Sequence, residues 1–302
     1  MAAETAHHDK TVVAEPNYRL IRKMPPKVIA PPRGWQPIDF KELWNYRELF
    51  LIFALRDIKV RYKQTLLGAT WALIQPIAFT IVGMVIFGKV AGAGTDGVTP
   101  VFLFYLASQL PWMLFNTGLQ ASSMSLVNAQ NMVKKIYFPR MILPTSAVMV
   151  TLIDAFILFT LLTFVITALP LIPGVDSHIV PIQALLLPVA VLWAFIAALS
   201  IGLPLSALNV QFRDVRYVLP FVTQFMIFAA PVFWPVSAIP EQWQPFYGLI
   251  PCAAPIEFFR WCLLDTPAHP TFWLVGLAST ATCLIAGLLY FRRMEDTFAD
   301  VV

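Results

Sequence analysis

Apolar positions in this chain run in long unbroken blocks, not in the short alternations of a soluble protein. Six stretches of about 19 or more residues carry at most one charge each, the length a helix needs to cross a bilayer core. The first lies near Leu66–Phe87, "LLGATWALIQPIAFTIVGMVIF", and Pro76 should kink it. The second starts near Val101 and turns polar in its second half, with Asn116, Thr117, Gln120, Ser122, Ser123 and Ser125. Polar groups in hydrocarbon need partners, so that half should face protein or a water-filled path. The third lies near Met141–Leu169, the fourth within Pro181–Leu208 and the fifth near Leu219–Ile239. The sixth, near Phe272–Phe291, is closed by Arg292 and Arg293.

Residues 246–264 are apolar enough to suggest a seventh span, but Pro251 and Pro255 interrupt them and Glu257 and Arg260 sit inside. Charge decides the matter. With six spans and the N-terminus inside, 19 of the 21 Lys and Arg residues fall on cytoplasmic segments, as the positive-inside rule requires. A seventh span would place Arg292 and Arg293 on the wrong side. Residues 246–264 therefore read as two short helices that dip in and return on the outer face. The predicted fold is an all-α integral membrane protein with six transmembrane helices. An N-terminal amphipathic interfacial helix precedes them, and two short re-entrant helices lie between spans 5 and 6. No internal repeat is visible, so an inverted-repeat transporter is not supported.

Before the first span the pattern changes twice. Residues 1–40 are polar and proline-rich and read as a disordered cytoplasmic tail, with no apolar core like that of a signal peptide. In residues 41–65 the apolar run Leu49–Leu55 is far too short to span. Arg47, Arg56, Asp57, Lys59, Arg61 and Lys63 surround it, and Phe50, Ala54, Ile58 and Tyr62 share one helical face. This pattern fits an amphipathic helix in the inner interface, or the charged end of a solvated helix.

Composition agrees with the pattern. The 302 residues are 58% hydrophobic and only 13% charged, where a soluble domain carries about 25% charge. Mean hydropathy is +0.71. A soluble enzyme, a disordered protein and a secreted disulfide scaffold are excluded. The net charge of +4 reads as membrane topology rather than as nucleic-acid binding. Cys252, Cys262 and Cys283 are odd in number, lie in or near apolar segments and read as packing residues. His7, His8, His178 and His269 form no metal-ligand cluster in sequence.

Candidate chemistry is sparse. A phosphate loop needs G-x-x-x-x-G-K-[ST], and the single Gly-Lys pair here, Gly88–Lys89, is followed by valine. Paired carboxylates on a cytoplasmic loop, a metal box and a nucleophile elbow are all missing from the sequence. Asp154 lies about halfway along the third span, where a carboxylate is costly. Without a basic partner on another span it does not resemble a proton relay; a packing hydrogen bond is the alternative. Trp112 and Phe115 on span 2, and Phe221, Phe225 and Phe228 on span 5, fit a lipid-facing belt or a conduit past which sugar rings slide. Gly88 and Gly92 form a single G-x-x-x-G. The loop "NAQNMVKKIYFPR", 128–140, is basic and aromatic; a positive-inside loop explains its charges but not its Tyr137–Phe138–Pro139 ending.

Four stretches together resemble the permease subunits of ABC-2-type polysaccharide exporters, the group that exports O-antigen, capsule and teichoic acid. They are "RDIKVRYKQTLLGATWALIQP" (56–76), "LPWMLFNTGLQASSMSLVNAQNMVKKIYFPR" (110–140), "LNVQFRDVRYVLPFVTQFMIFAAPVFWPVSAIP" (208–240) and "IPCAAPIEFFRWCLL" (250–264). The resemblance implies a homodimer of six-span subunits in the inner membrane, residues 66–293, with a cytoplasmic C-terminus at 294–302. It implies two copies of a separate ATPase that handles ATP and Mg2+, so that this chain binds no cofactor and hydrolyses nothing. The substrate would be a lipid-linked polysaccharide, with no role for nucleic acid. Residues 128–140 would be the coupling helix, with Asn131, Lys134, Lys135, Tyr137, Phe138 and Arg140 at the ATPase. Arg56, Asp57, Lys59, Arg61 and Tyr62 would belong to the interfacial helix. Trp71, Trp112, Phe115, Asn116, Phe221 and Phe225 would line the channel. Residues 241–264, with Trp243, Glu257, Phe258, Arg260 and Trp261, would form the outer gate. An ABC-2 permease for a lipid or drug, or a membrane glycosyl- or phosphotransferase, are the alternatives.

Overall fold

A computed structural model describes residues 40–63, 70–136, 138–171, 180–295 and Phe298. The predicted tail lies outside the described residues except for the backbone of Phe40. Helices make up the described fold: α1 Phe40–Asn45, α2 Arg47–Tyr62, α3 Trp71–Gly83, α4 Val101–Asn128, α5 Gln130–Val133 and α6 Ile142–Ala168. They continue as α7 Leu187–Gln211, α8 Val215–Ala229, α9 Gln244–Gly248, α10 Ala253–Leu264 and α11 Pro270–Glu295. A π-helical turn, Met84–Val90, extends α3.

Helix α4 is the centre of the fold. Every residue from Leu103 to Leu110 is buried, so the helix meets protein on all sides there. It packs against α3, α6, α7, α8 and α10, while α7 also carries α11 and α6 carries α2. Small residues let the backbones close up. A methyl group added at Gly202 of α7 would stand 2.6 Å from Ser122 Oγ of α4. Ala190, Ala194, Ala197 and Ala198 of α7 are buried.

Much of the polar half of α4 finds partners inside the protein, while the buried Ser122 and Ser123 hydroxyls make no hydrogen bond among the described residues. Thr117 donates to the Met113 carbonyl, Ser125 to that of Ser122, and Gln120 to Asn116 Oδ1 at 2.9 Å. Asn209 of α7 donates to the Ser123 carbonyl at 3.0 Å. Hydroxyls that bond back to their own helix lose little on leaving water.

Four helical runs among the described residues are long and apolar enough to cross a membrane: Leu73–Val90, Ile142–Leu171, Ile182–Gln211 and Pro270–Glu295. They correspond to the predicted spans 1, 3, 4 and 6. The predicted span 2 is α4, whose 28 residues are long enough but too polar to qualify on hydropathy. The predicted span 5, Leu219–Ile239, is corrected in its bounds. Its helix is α8, 15 residues ending at Ala229, which rises only about 22 Å. Pro231 and Pro235 follow and cannot donate the next helical hydrogen bonds. Residues 64–69, where span 1 was predicted to begin, lie outside the described residues.

Candidate functional site

Three groups of side chains gather the sequence candidates. The first lies around the loop between α4 and α6. After α4 ends at Asn128, the described residues up to Arg140 hold one short helix, the single turn α5. Pro139 removes a donor and disfavours helix at Phe138, so the chain leaves the helix before Arg140. Asn131, Lys134, Lys135 and Ile136 are exposed. Phe138 is buried, its ring edge-to-face with Phe53 of α2 at 5.6 Å. Arg140 turns inwards as well. Its backbone N–H donates to Glu295 Oε1 at 3.1 Å, its guanidinium donates to the Glu295 carbonyl, and it stands 5.8 Å over Phe298. Tyr137 lies outside the described residues.

On α2 the predicted face Phe50, Ala54, Ile58, Tyr62 is turned inwards, with Ala54 buried and the other three partly so. Leu51, Ile52, Leu55 and Val60 are exposed instead, beside exposed Lys59. Arg56 pairs with Asp57 at 2.7 Å and stands 5.1 Å over Phe53. Arg61 pairs with Asp154 of α6 at 2.5 Å, and the Tyr62 hydroxyl donates to the same carboxylate. The basic partner of Asp154 thus comes from α2, which is not one of the spans.

The second group is a polar groove between α3, α4 and α8. Gln75, Phe79, Gln109, Trp112, Met113, Asn116, Thr117, Thr223, Gln224, Ile227 and Phe228 line its volume of about 180 Å³. Trp112 and Asn116, two of the residues expected in a channel, both line this groove. Phe115 does not join them: it is wholly buried, behind Trp112 at 6.1 Å between ring centres. Phe221 and Phe225 lie on the exposed side of α8, 4.9 Å apart between ring centres. Trp71 opens α3, and its side chain lies outside the described residues. Gln75, Gln109, Thr223 and Gln224 were not singled out from sequence. Their signal was amide and hydroxyl side chains inside the apolar blocks of spans 1, 2 and 5.

The third group surrounds α10. Glu257 and Arg260 are wholly buried and paired, three residues apart on one helical face. Arg260 also donates to the Pro231 carbonyl at 2.8 Å and to Ser108 Oγ at 3.2 Å, and lies 4.4 Å over the Phe104 ring. One arginine thus ties α10 to α4 and to the chain that follows α8. His269 Nε2 stands 3.9 Å from Glu257 Oε1. Phe258 and Trp261 are half-buried and packed on Trp273, at 5.2 and 5.0 Å. Trp243 is exposed, its ring tilted against that of Phe246 at 5.7 Å between centres. Burial raises the Tyr247 phenol above its ordinary value and pushes the Cys252 thiol up to about 12.

The profile of the ABC-2 type transporter family matches residues 48–264, from the start of α2 to the end of α10. The chain belongs to the ABC-2 type transporter family. All three groups centre on the matched segment, while α11, with Trp273 and Glu295, follows it. The O-antigen export system permease protein RfbA of Myxococcus xanthus is 29% identical over 271 residues, 87% of this chain and 98% of that protein. RfbA of Klebsiella pneumoniae is 25% identical over 259 residues, 84% and 95% of the two chains. The polysialic acid transport protein KpsM of Escherichia coli is 22% identical over 246 residues, 80% and 92%. This ABC-2 chain is a multi-pass membrane protein.

Proposed function

We propose that this chain is the permease subunit of an ABC exporter that carries a lipid-linked polysaccharide across the cytoplasmic membrane. The observation that carries the reading is the polar groove of α3, α4 and α8, in a chain similar over most of its length to O-antigen and polysialic acid permeases. Amide and hydroxyl side chains from Gln75, Gln109, Asn116, Thr117, Thr223 and Gln224 suit sugar hydroxyls. Trp112, Phe79 and Phe228 supply apolar faces for sugar rings.

In this reading two copies of the chain assemble, with six crossings each, α4 and α8 among them. The exposed Phe221, Phe225 and Phe228 of α8 border the conduit between the copies. A separate ATPase binds ATP and Mg2+ and docks on the loop after α4, with Asn131, Lys134 and Lys135 at the contact. Phe138 and Arg140 hold that loop from behind. The hairpin of α9 and α10 forms the outer gate, with Arg260 and Glu257 as its fixed anchor. Both chain ends lie in the cytoplasm.

The test is a tagged pull-down from native membranes in mild detergent, paired with analysis of the cell-surface glycan. A stoichiometric ATPase, lost in Lys134→Glu/Lys135→Glu, and a surface glycan lost on deletion would support the reading. An ATPase present with an unchanged surface glycan would indicate an ABC-2 permease for a lipid or drug. No ATPase, with turnover of a lipid-linked sugar by the chain alone, would indicate a transferase.

A further inference from the structure

Asp154 sits near the middle of the 30-residue apolar run Ile142–Leu171, with its side chain only 6% exposed. A carboxylate at that depth is costly unless a cation and hydrogen-bond donors accompany it. Both come from α2: Arg61 at 2.5 Å and the Tyr62 hydroxyl.

The same helix makes a second attachment. Phe53, nine residues before Tyr62, packs on Phe138 of the loop that leads into α6. Nine helical residues rise about 14 Å. On the partner side, α6 rises about 18 Å between Ile142 and Asp154. The two attachments therefore set α2 alongside α6, both running from the loop into the depth of the apolar run. Between them Ala54 is buried and Ile58 partly buried. Helix α3, which carries Gln75 and Phe79 of the polar groove, packs on α6 as well.

We propose that Asp154 is a positioning residue for transport, fastening the inner end of α2 to the middle of α6. Phe53 receives displacement of the 130–140 loop, and the clamp of Asp154 with Arg61 and Tyr62 carries it into the middle of α6, the helix on which α3 packs. Without the clamp, displacement of α2 no longer reaches the middle of α6. The transport role rests on the exporter reading given above.

The test uses the full chain in its native host and the purified complex. Asp154→Asn keeps the shape of the side chain and removes its charge; Asp154→Glu keeps the charge. Surface carbohydrate, labelled after periodate oxidation, is measured against the amounts of permease and co-purified ATPase. Coupling free energies of 1–3 kcal/mol correspond to roughly 5–150-fold effects. Asp154→Asn and Arg61→Gln should lower surface carbohydrate roughly tenfold per permease with the ATPase still captured. Asp154→Glu and Arg61→Lys should restore most of it. In parallel, spin labels at Leu55→Cys on α2 and Phe156→Cys on α6, with Cys283→Ser, should give a narrow distance distribution that Asp154→Asn broadens.

An unchanged distribution overturns the clamp. Unchanged surface carbohydrate in Asp154→Asn, where deletion of the chain abolishes it, overturns its transport role. If deletion itself leaves surface carbohydrate unchanged, the exporter reading fails and the transport role with it. A broadened distribution would then retain only the fastening of α2 to α6.

Discussion

Single residues show where burial costs most. Arg260 is wholly buried, and its removal strands the Glu257 carboxylate in the interior. Breaking such a pair costs about 3–5 kcal/mol. Arg260→Met should therefore lower the thermal unfolding midpoint of the detergent-solubilised protein sharply, and Glu257→Gln/Arg260→Met should recover part of the loss. Cys252 makes a second prediction. Its folded-state pKa is raised from 9.0 to about 12 by burial. The stability it contributes is present below pH 9 and is lost as pH rises towards 12. At pH 8 a maleimide should leave Cys252 unlabelled in the folded protein and label it in SDS, as mass spectrometry would read.

Helices and loops are decided by close approach and by proline. Gly202 brings α7 against Ser122 of α4, and the atom nearest an added methyl belongs to a short side chain on a fixed helix. Overpacking of this kind costs about 1–3 kcal/mol. Gly202→Ala should lower the unfolding midpoint and the monodisperse yield on gel filtration. The loop after α4 separates two kinds of side chain. Lys134→Glu/Lys135→Glu should abolish ATPase capture with the fold intact, because both lysines are exposed. Phe138→Ala removes the contact with Phe53 and should weaken the hold of α2, read as faster proteolysis within residues 47–62.

At the scale of the molecule, the groove offers amides and hydroxyls beside aromatic faces. Asn116→Leu should reduce surface glycan while permease level and ATPase capture stay constant, measured in the native host. The opposite outcome would remove the groove from the transport path.

The sequence by itself determined the membrane class, the all-helical fold, the apolar blocks that became α3, α6, α7 and α11, and the family motifs. These rest on length, hydropathy and proline spacing, which act locally along the chain. The polar half of α4 was legible as well, because hydroxyls and amides in hydrocarbon need partners wherever the helix lies. Only the tertiary structure decided which partners. Asp154 meets Arg61 and Tyr62, Arg140 meets Glu295, and Arg260 reaches Pro231 and Ser108. It also sent Phe115 into the core and left Trp112 on the groove. A helix that is apolar all round gives no sign of its rotation, so the neighbour of each side chain is fixed only when whole helices pack. The end of α8 at Ala229 belongs to both levels: Pro231 and Pro235 mark it in the sequence, and the Arg260 bond to the Pro231 carbonyl holds the turn in place.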